Sequence, residues 1–93
     1  NAGVVAYSKS LAIQLGSVGI RSNVILPGPV ASPMQARWDL DPDAAKAVAD
    51  VIPLGRLGRV EDMAEACLFL LSDRAAFISG TELIVDGGLM ARP

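Results

Sequence analysis

Few side chains in this sequence could do chemistry. There is no histidine, which removes His-based triads, His metal ligation and the commonest general base. Cys67 is the single cysteine, too few for an internal disulfide or a Cys-based zinc site, and its helical apolar surroundings predict a small packed hydrophobe. Tyr7-Ser8-Lys9 sets a phenol near an ammonium, a pairing that can lower a phenol pKa for acid–base work. Residues two apart on a helix do not share a face, and Leu11 stands four after Tyr7, so an amphipathic helix face is the favoured reading. Asp39-Leu40-Asp41-Pro42-Asp43 alternates carboxylates as a calcium loop does. Ala44 replaces that loop's turn glycine and Asp50 its bidentate Glu, and Pro42 favours a helix start instead. Gly55-Arg56-Leu57-Gly58 could hold a phosphate, but no G-x-G-x-x-G or Walker pattern occurs. A turn, with Arg56 bonded to local carbonyls or a carboxylate, is the simpler expectation.

The fourth constellation is Val24-Ile25-Leu26 running into Pro27-Gly28-Pro29-Val30 and then Ala31-Ser32-Pro33-Met34. An all-apolar strand that stops at Pro-Gly is how a parallel sheet often ends at a ligand crevice. Pro27 has no N–H for a ladder, and Gly28 lets another group approach the backbone closely. A plain turn is the competing reading.

Positioning these residues requires a helix over 2–15, with Val4, Leu11 and Leu15 on its inner face beside Tyr7 and Ala12. Gly16 and Gly19 end it. A strand is predicted over 20–26, buried on both faces, then a proline-dense loop over 27–40. A second helix starts with Asp41 as N-cap and Pro42 as its first residue, has Ala44, Ala45, Val48, Val51 and Ile52 as its apolar positions, and ends before Pro53. A third runs from Val60 to Leu71, with Glu61 and Asp62 in its first turn and Met63, Cys67, Leu70 and Leu71 on one face, widened by Leu68 and Phe69. After a connection over 73–80, Thr81–Val85 forms a second strand closed by Asp86-Gly87-Gly88. Strands joined by a long helical crossover are parallel.

The 93 residues make one small domain, 52% hydrophobic, with a net charge of −2 and a mean hydropathy of +0.43. A domain of this size buries only roughly 60–65% of its unfolded surface, so apolar surface is left to face a partner or a missing part of the protein. Two parallel strands with open edges make a poor sheet alone. There is no basic cluster for nucleic acid, no membrane-length apolar run and no secretory signal. The default is a cytoplasmic protein.

Several segments carry a family likeness. Gly19-Ile20-Arg21-Ser22-Asn23-Val24 into Pro27-Gly28-Pro29-Val30 resembles the short-chain dehydrogenase/reductase family. So do Pro53-Leu54-Gly55-Arg56-Leu57-Gly58 with Glu61-Asp62 and Ala64, Leu68-Phe69-Leu70-Leu71-Ser72-Asp73, and Ser79-Gly80 into Val85-Asp86-Gly87-Gly88. These matches are ordered and correctly spaced over nearly the whole chain.

The resemblance is to the C-terminal third of such enzymes. It implies an α/β fold that is the C-terminal part of a Rossmann-type doubly wound parallel sheet, with about two parallel strands and three or more helices. The parent activity would be NAD- or NADP-dependent interconversion of alcohols and ketones. The family's phosphate-binding turn and catalytic Ser lie upstream. Asn1 falls where the Lys of its Tyr-x-x-x-Lys motif would be, so Tyr7 is not the catalytic tyrosine and no catalytic residue is assigned here. Pro27 and Gly28 would stand beside the nicotinamide, the Val30 backbone would hold its carboxamide, and Ser32 would contact the cofactor where the family usually has Thr. Residues of about 31–58 would form the substrate region, with Met34 and Trp38 as candidate pocket residues. The chain alone is expected to bind no cofactor and to be inactive. It is expected to form a homo-oligomer or to need its N-terminal segment. A non-enzymatic, truncated module that folds by self-association is the alternative.

Overall fold

Ala2–Leu15 forms the first helix, α1, in a computed structural model that describes residues 2–31 and 41–91. A 3-10 turn over Gly16–Val18 follows. Gly19 closes it at a φ of 82°, in the left-handed region open to glycine, and its N–H donates to the Gly16 carbonyl at 3.0 Å. The inner face of α1 differs from the apolar pattern. Ser8 is its buried residue, with Leu11, Ala12 and Leu15 half-buried, while Val4 and Tyr7 are exposed. Ser8 can be buried because its hydroxyl lies 2.8 Å from that of Ser22 and the two hydrogen-bond.

The first strand, β1, is Val24–Pro27 rather than 20–26. Residues 21–23 take one backbone bond, from the Gly80 N–H to the Ser22 carbonyl at 2.7 Å, and are otherwise stitched down by side chains. Arg21 Nη1 donates to the carbonyls of Leu70 (2.7 Å) and Ile78 (3.3 Å), and its Nη2 to that of Ser72 (3.3 Å). The Asn23 amide donates to the Ile78 carbonyl at 3.0 Å and accepts from the Thr81 N–H at 3.0 Å. Val24 is buried, but Ile25 and Leu26 are only half-buried. Pro27 extends the strand although it lacks a donor, because the Gly28 N–H carries the ladder on to the Val85 carbonyl at 3.0 Å.

Val30–Ala31 forms β2 inside the segment expected as loop. A strand of two residues carries no readable period. The second helix, α2, spans Pro42–Val51, and Asp41 Oδ1 accepts the Ala44 N–H at 3.1 Å as the expected N-cap. Gly58–Arg59 forms β3, paired parallel with β2. Val60–Leu71 forms α3. Within its expected face, Leu70 is buried and Met63 half-buried, but Cys67 is exposed and Leu71 is 80% exposed. Only one side of α3 meets the strands, so Cys67 is not the packed hydrophobe its pattern predicts. After a 3-10 turn over Asp73–Ala75, Glu82–Val85 forms β4, parallel to β1, with Val24 opposite Glu82 and Pro27 opposite Val85.

The α/β architecture with parallel strands therefore stands. Both α1 and α3 contact β1. The buried apolar residues among those described are Val24, Ile52, Leu70 and Ala75. None of the described helices is long and apolar enough to cross a membrane.

Candidate functional site

Because β1 and β4 run parallel, Pro27 and Val85 end at the same edge, and the chain there turns into Gly28-Pro29 on one side and Asp86-Gly87-Gly88 on the other. The carboxyl edge of a parallel sheet is where ligands of open α/β folds sit. A cleft of about 430 Å³ opens there, lined by Leu26, Pro27, Gly28, Pro29, Ile84 and Asp86, among others. Its size suits a small ring or a segment of a larger ligand.

Gly28 is a point of close approach to the backbone, as its position predicts. A Cβ built on it would lie 2.7 Å from the Asp86 Cβ and 2.9 Å from the Asp86 Cα. The group that approaches its backbone is therefore Asp86. The Asp86 carboxylate in turn caps its own turn, with Oδ1 accepting from the Gly88 N–H and Oδ2 from the Met90 N–H, both at 2.9 Å. It holds the turn rather than projecting as an acid or base.

The turn also anchors α2. The Leu54 N–H donates to the Gly87 carbonyl at 3.1 Å, and the buried Ile52 sits against Gly87, whose φ is +67°. On the other side, the Gly58 N–H donates to the Pro29 carbonyl at 2.9 Å and Val30 stands opposite Gly58. Three segments distant in sequence thus meet at Pro27–Val30.

The Gly55–Gly58 segment is the turn expected, with Gly55 at a φ of +79°. Arg56 Nη1 donates to the Leu57 carbonyl at 3.0 Å and to Asp62 Oδ2 at 2.7 Å, and Nη2 to Asp62 Oδ1 at 3.2 Å. The arginine is thereby spent inside the protein and is not aimed at a phosphate. The hydrogen bond from Arg56 holds the Asp62 carboxyl down at about 2, helped by the Arg59 N–H, which donates to it at 2.7 Å. Lys9 pairs with Glu82 at 3.2 Å rather than with Tyr7.

Of the sequence-derived site residues, Pro27, Gly28 and Val30 lie together at this edge. Ser32, Met34, Trp38 and Asn1 lie outside the described residues. Asp86 and Asp62 are the residues that sequence reasoning did not place here. The Asp86-Gly87-Gly88 turn signal, matched in position to a strand exit, could have found the first.

A family profile described as enoyl-(acyl carrier protein) reductase matches residues 1–90. The chain belongs to the short-chain dehydrogenase/reductase family. It is 42% identical over 92 residues to 3beta-hydroxysteroid dehydrogenase 1 of Eggerthella lenta, covering 99% of this chain and 35% of that protein. The crystal structure of a short-chain dehydrogenase/reductase oxidoreductase from Burkholderia thailandensis superposes with a TM-score of 0.90 at 43% identity, covering 98% of this chain and 36% of that one. An Agrobacterium tumefaciens protein assigned as a 2-deoxy-d-gluconate 3-dehydrogenase, solved with bound NADP, gives 0.88 at 38% identity, covering 98% and 37%. The chain thus spans about a third of the length of the short-chain dehydrogenase/reductase proteins it matches.

Proposed function

We propose that these residues form the nicotinamide-facing, C-terminal part of an NAD(P)-dependent short-chain oxidoreductase acting on an alcohol or ketone. The observation that carries this reading is the shared exit of the parallel strands β1 and β4 at Pro27-Gly28 and Asp86, over an open cleft. The order of elements supports the C-terminal placement. A helix leads into β1, a helix-bearing crossover joins β1 to β4, and no glycine-rich turn of the G-x-G-x-x-G type occurs in the sequence.

The residues fit one end of the cofactor. Leu26, Pro27, Pro29 and Ile84 make the lining of the cleft largely apolar, which suits the face of a flat ring. No phosphate cradle is formed by the one loop that was a candidate, since Arg56 is held by Asp62. NAD or NADP would supply the hydride donor or acceptor. Pro27, Gly28 and Val30 would orient its ring, with Ser32 as a further contact. Residues about 31–58, including α2, would border the substrate, with α2 fixed at its end by Ile52 and Leu54 against Gly87. Such positioning accelerates a reaction only when the proton-transferring groups share the site.

Assay of the full-length protein and of the isolated 93-residue chain with both cofactors tests this. Cofactor-dependent oxidation of alcohols or reduction of ketones is expected from the full-length protein and none from the isolated chain. Turnover by the isolated chain would overturn the division of labour, and none by either would overturn the reading.

A further inference from the structure

The Pro29–Ala31 loop is held by a strand pair too short to hold itself. It comprises Val30 opposite Gly58 and Ala31 opposite Arg59, together with the Gly58 N–H donating to the Pro29 carbonyl at 2.9 Å. Isolated two-stranded pairings are marginal even when longer, so the geometry must come from elsewhere. On the β3 side it comes from Asp62. One carboxylate binds both ends of the segment that carries Gly58: Arg56 through Nη1 and Nη2, and Arg59 through its backbone N–H. Asp62 lies in the first turn of α3, where a negative charge is favoured, and α3 is itself packed on β1 and β4. The fit is close as well, since a Cβ on Gly58 would stand 3.3 Å from the Pro29 carbonyl oxygen and 3.6 Å from Val30 Cγ2.

We propose that Asp62 is a positioning residue for the cofactor loop, setting Pro29–Ala31 through Arg56, Arg59 and Gly58. This rests on the reading above that the loop meets the nicotinamide. Asp62 acts through β3 and need not touch the ligand. Its loss would weaken contacts at the nicotinamide end and leave the adenylate end untouched.

The test is titration of the full-length protein with NADH or NADPH and, separately, with ADP, in the wild type, Asp62→Ala and Arg56→Gln. Asp62→Ala should raise the dinucleotide Kd about tenfold, the scale of a lost charge-assisted hydrogen bond, with the ADP Kd unchanged. The Gly58 amide should exchange faster in the same variant. Arg56→Gln keeps the Arg59 bond and should give a smaller shift in the same direction, and it decides the matter should Asp62→Ala fail to fold. Equal weakening of both ligands, or no change in either, would overturn the inference alone. A wild type that binds ADP but no dinucleotide more tightly would overturn the functional reading and this inference with it.

Discussion

Asp62 makes a pH-dependent contribution whose sign is fixed by its partners. Its hydrogen bond from Arg56 comes first, then the Arg59 N–H, and both favour the carboxylate, so its pKa falls from 3.8 to about 2. The unfolded chain lacks these partners. The contribution is therefore fully present above the ordinary carboxyl pKa and is lost as pH falls from about 4 towards about 2. Chemical unfolding across that window should show stability declining, and Asp62→Asn should flatten the decline. A slope unchanged in Asp62→Asn would remove Asp62 as its source. At the same scale, Gly28 shows how a close approach can be legible while the group that makes it is not. The need for glycine was visible in Pro27-Gly28, but the group that fills the space is Asp86, 58 residues away, which local sequence cannot display.

Among the elements, the helices were legible and the short strands were not. Asp41 and Pro42 announced α2, and Glu61 and Asp62 announced α3, because caps and first-turn charges act within a few residues. The two-residue β2 and β3 exist only through each other. The expected strand over 20–26 loses its first four residues, since Arg21 and Asn23 spend their side chains on carbonyls across the fold. Arg21 is the joint between the end of α3, the Asp73–Ala75 turn and the approach to β1. Arg21→Met should cost the full-length protein about 2–3 kcal/mol, since three carbonyls lose their charged donor. Denaturant midpoints measure this, and a loss below about 0.5 kcal/mol, the range of an ordinary surface change, would refute it. Of the candidate site, Pro27, Gly28 and Val30 were legible from strand-end logic. The bracing by Asp62 and Asp86 was not, because it depends on which distant turns arrive beside them.

At the scale of the whole molecule, apolar surface exceeds what the described layers cover. Ile13 is 83% exposed, and Leu54, Leu68, Phe77 and Met90 are exposed with it. The surface is consistent with the chain's coverage of about a third of its relatives' length. Expressed alone, the 93-residue chain should self-associate, and sedimentation velocity would show species larger than the monomer. A stable, folded monomer at all concentrations would contradict this. The seam between β1 and β4 has a further consequence, for how this protein comes to be folded. Val24 meets a partner 58 positions later in the chain, at Glu82. Everything between must be synthesised and its loop closed before the first rung can form, a search that parallel pairings make slow. The helices, at 10 to 14 residues, are marginal alone and depend on packing against these strands, so destabilising the β1–β4 seam should slow refolding of the helices with it, as stopped-flow circular dichroism would show.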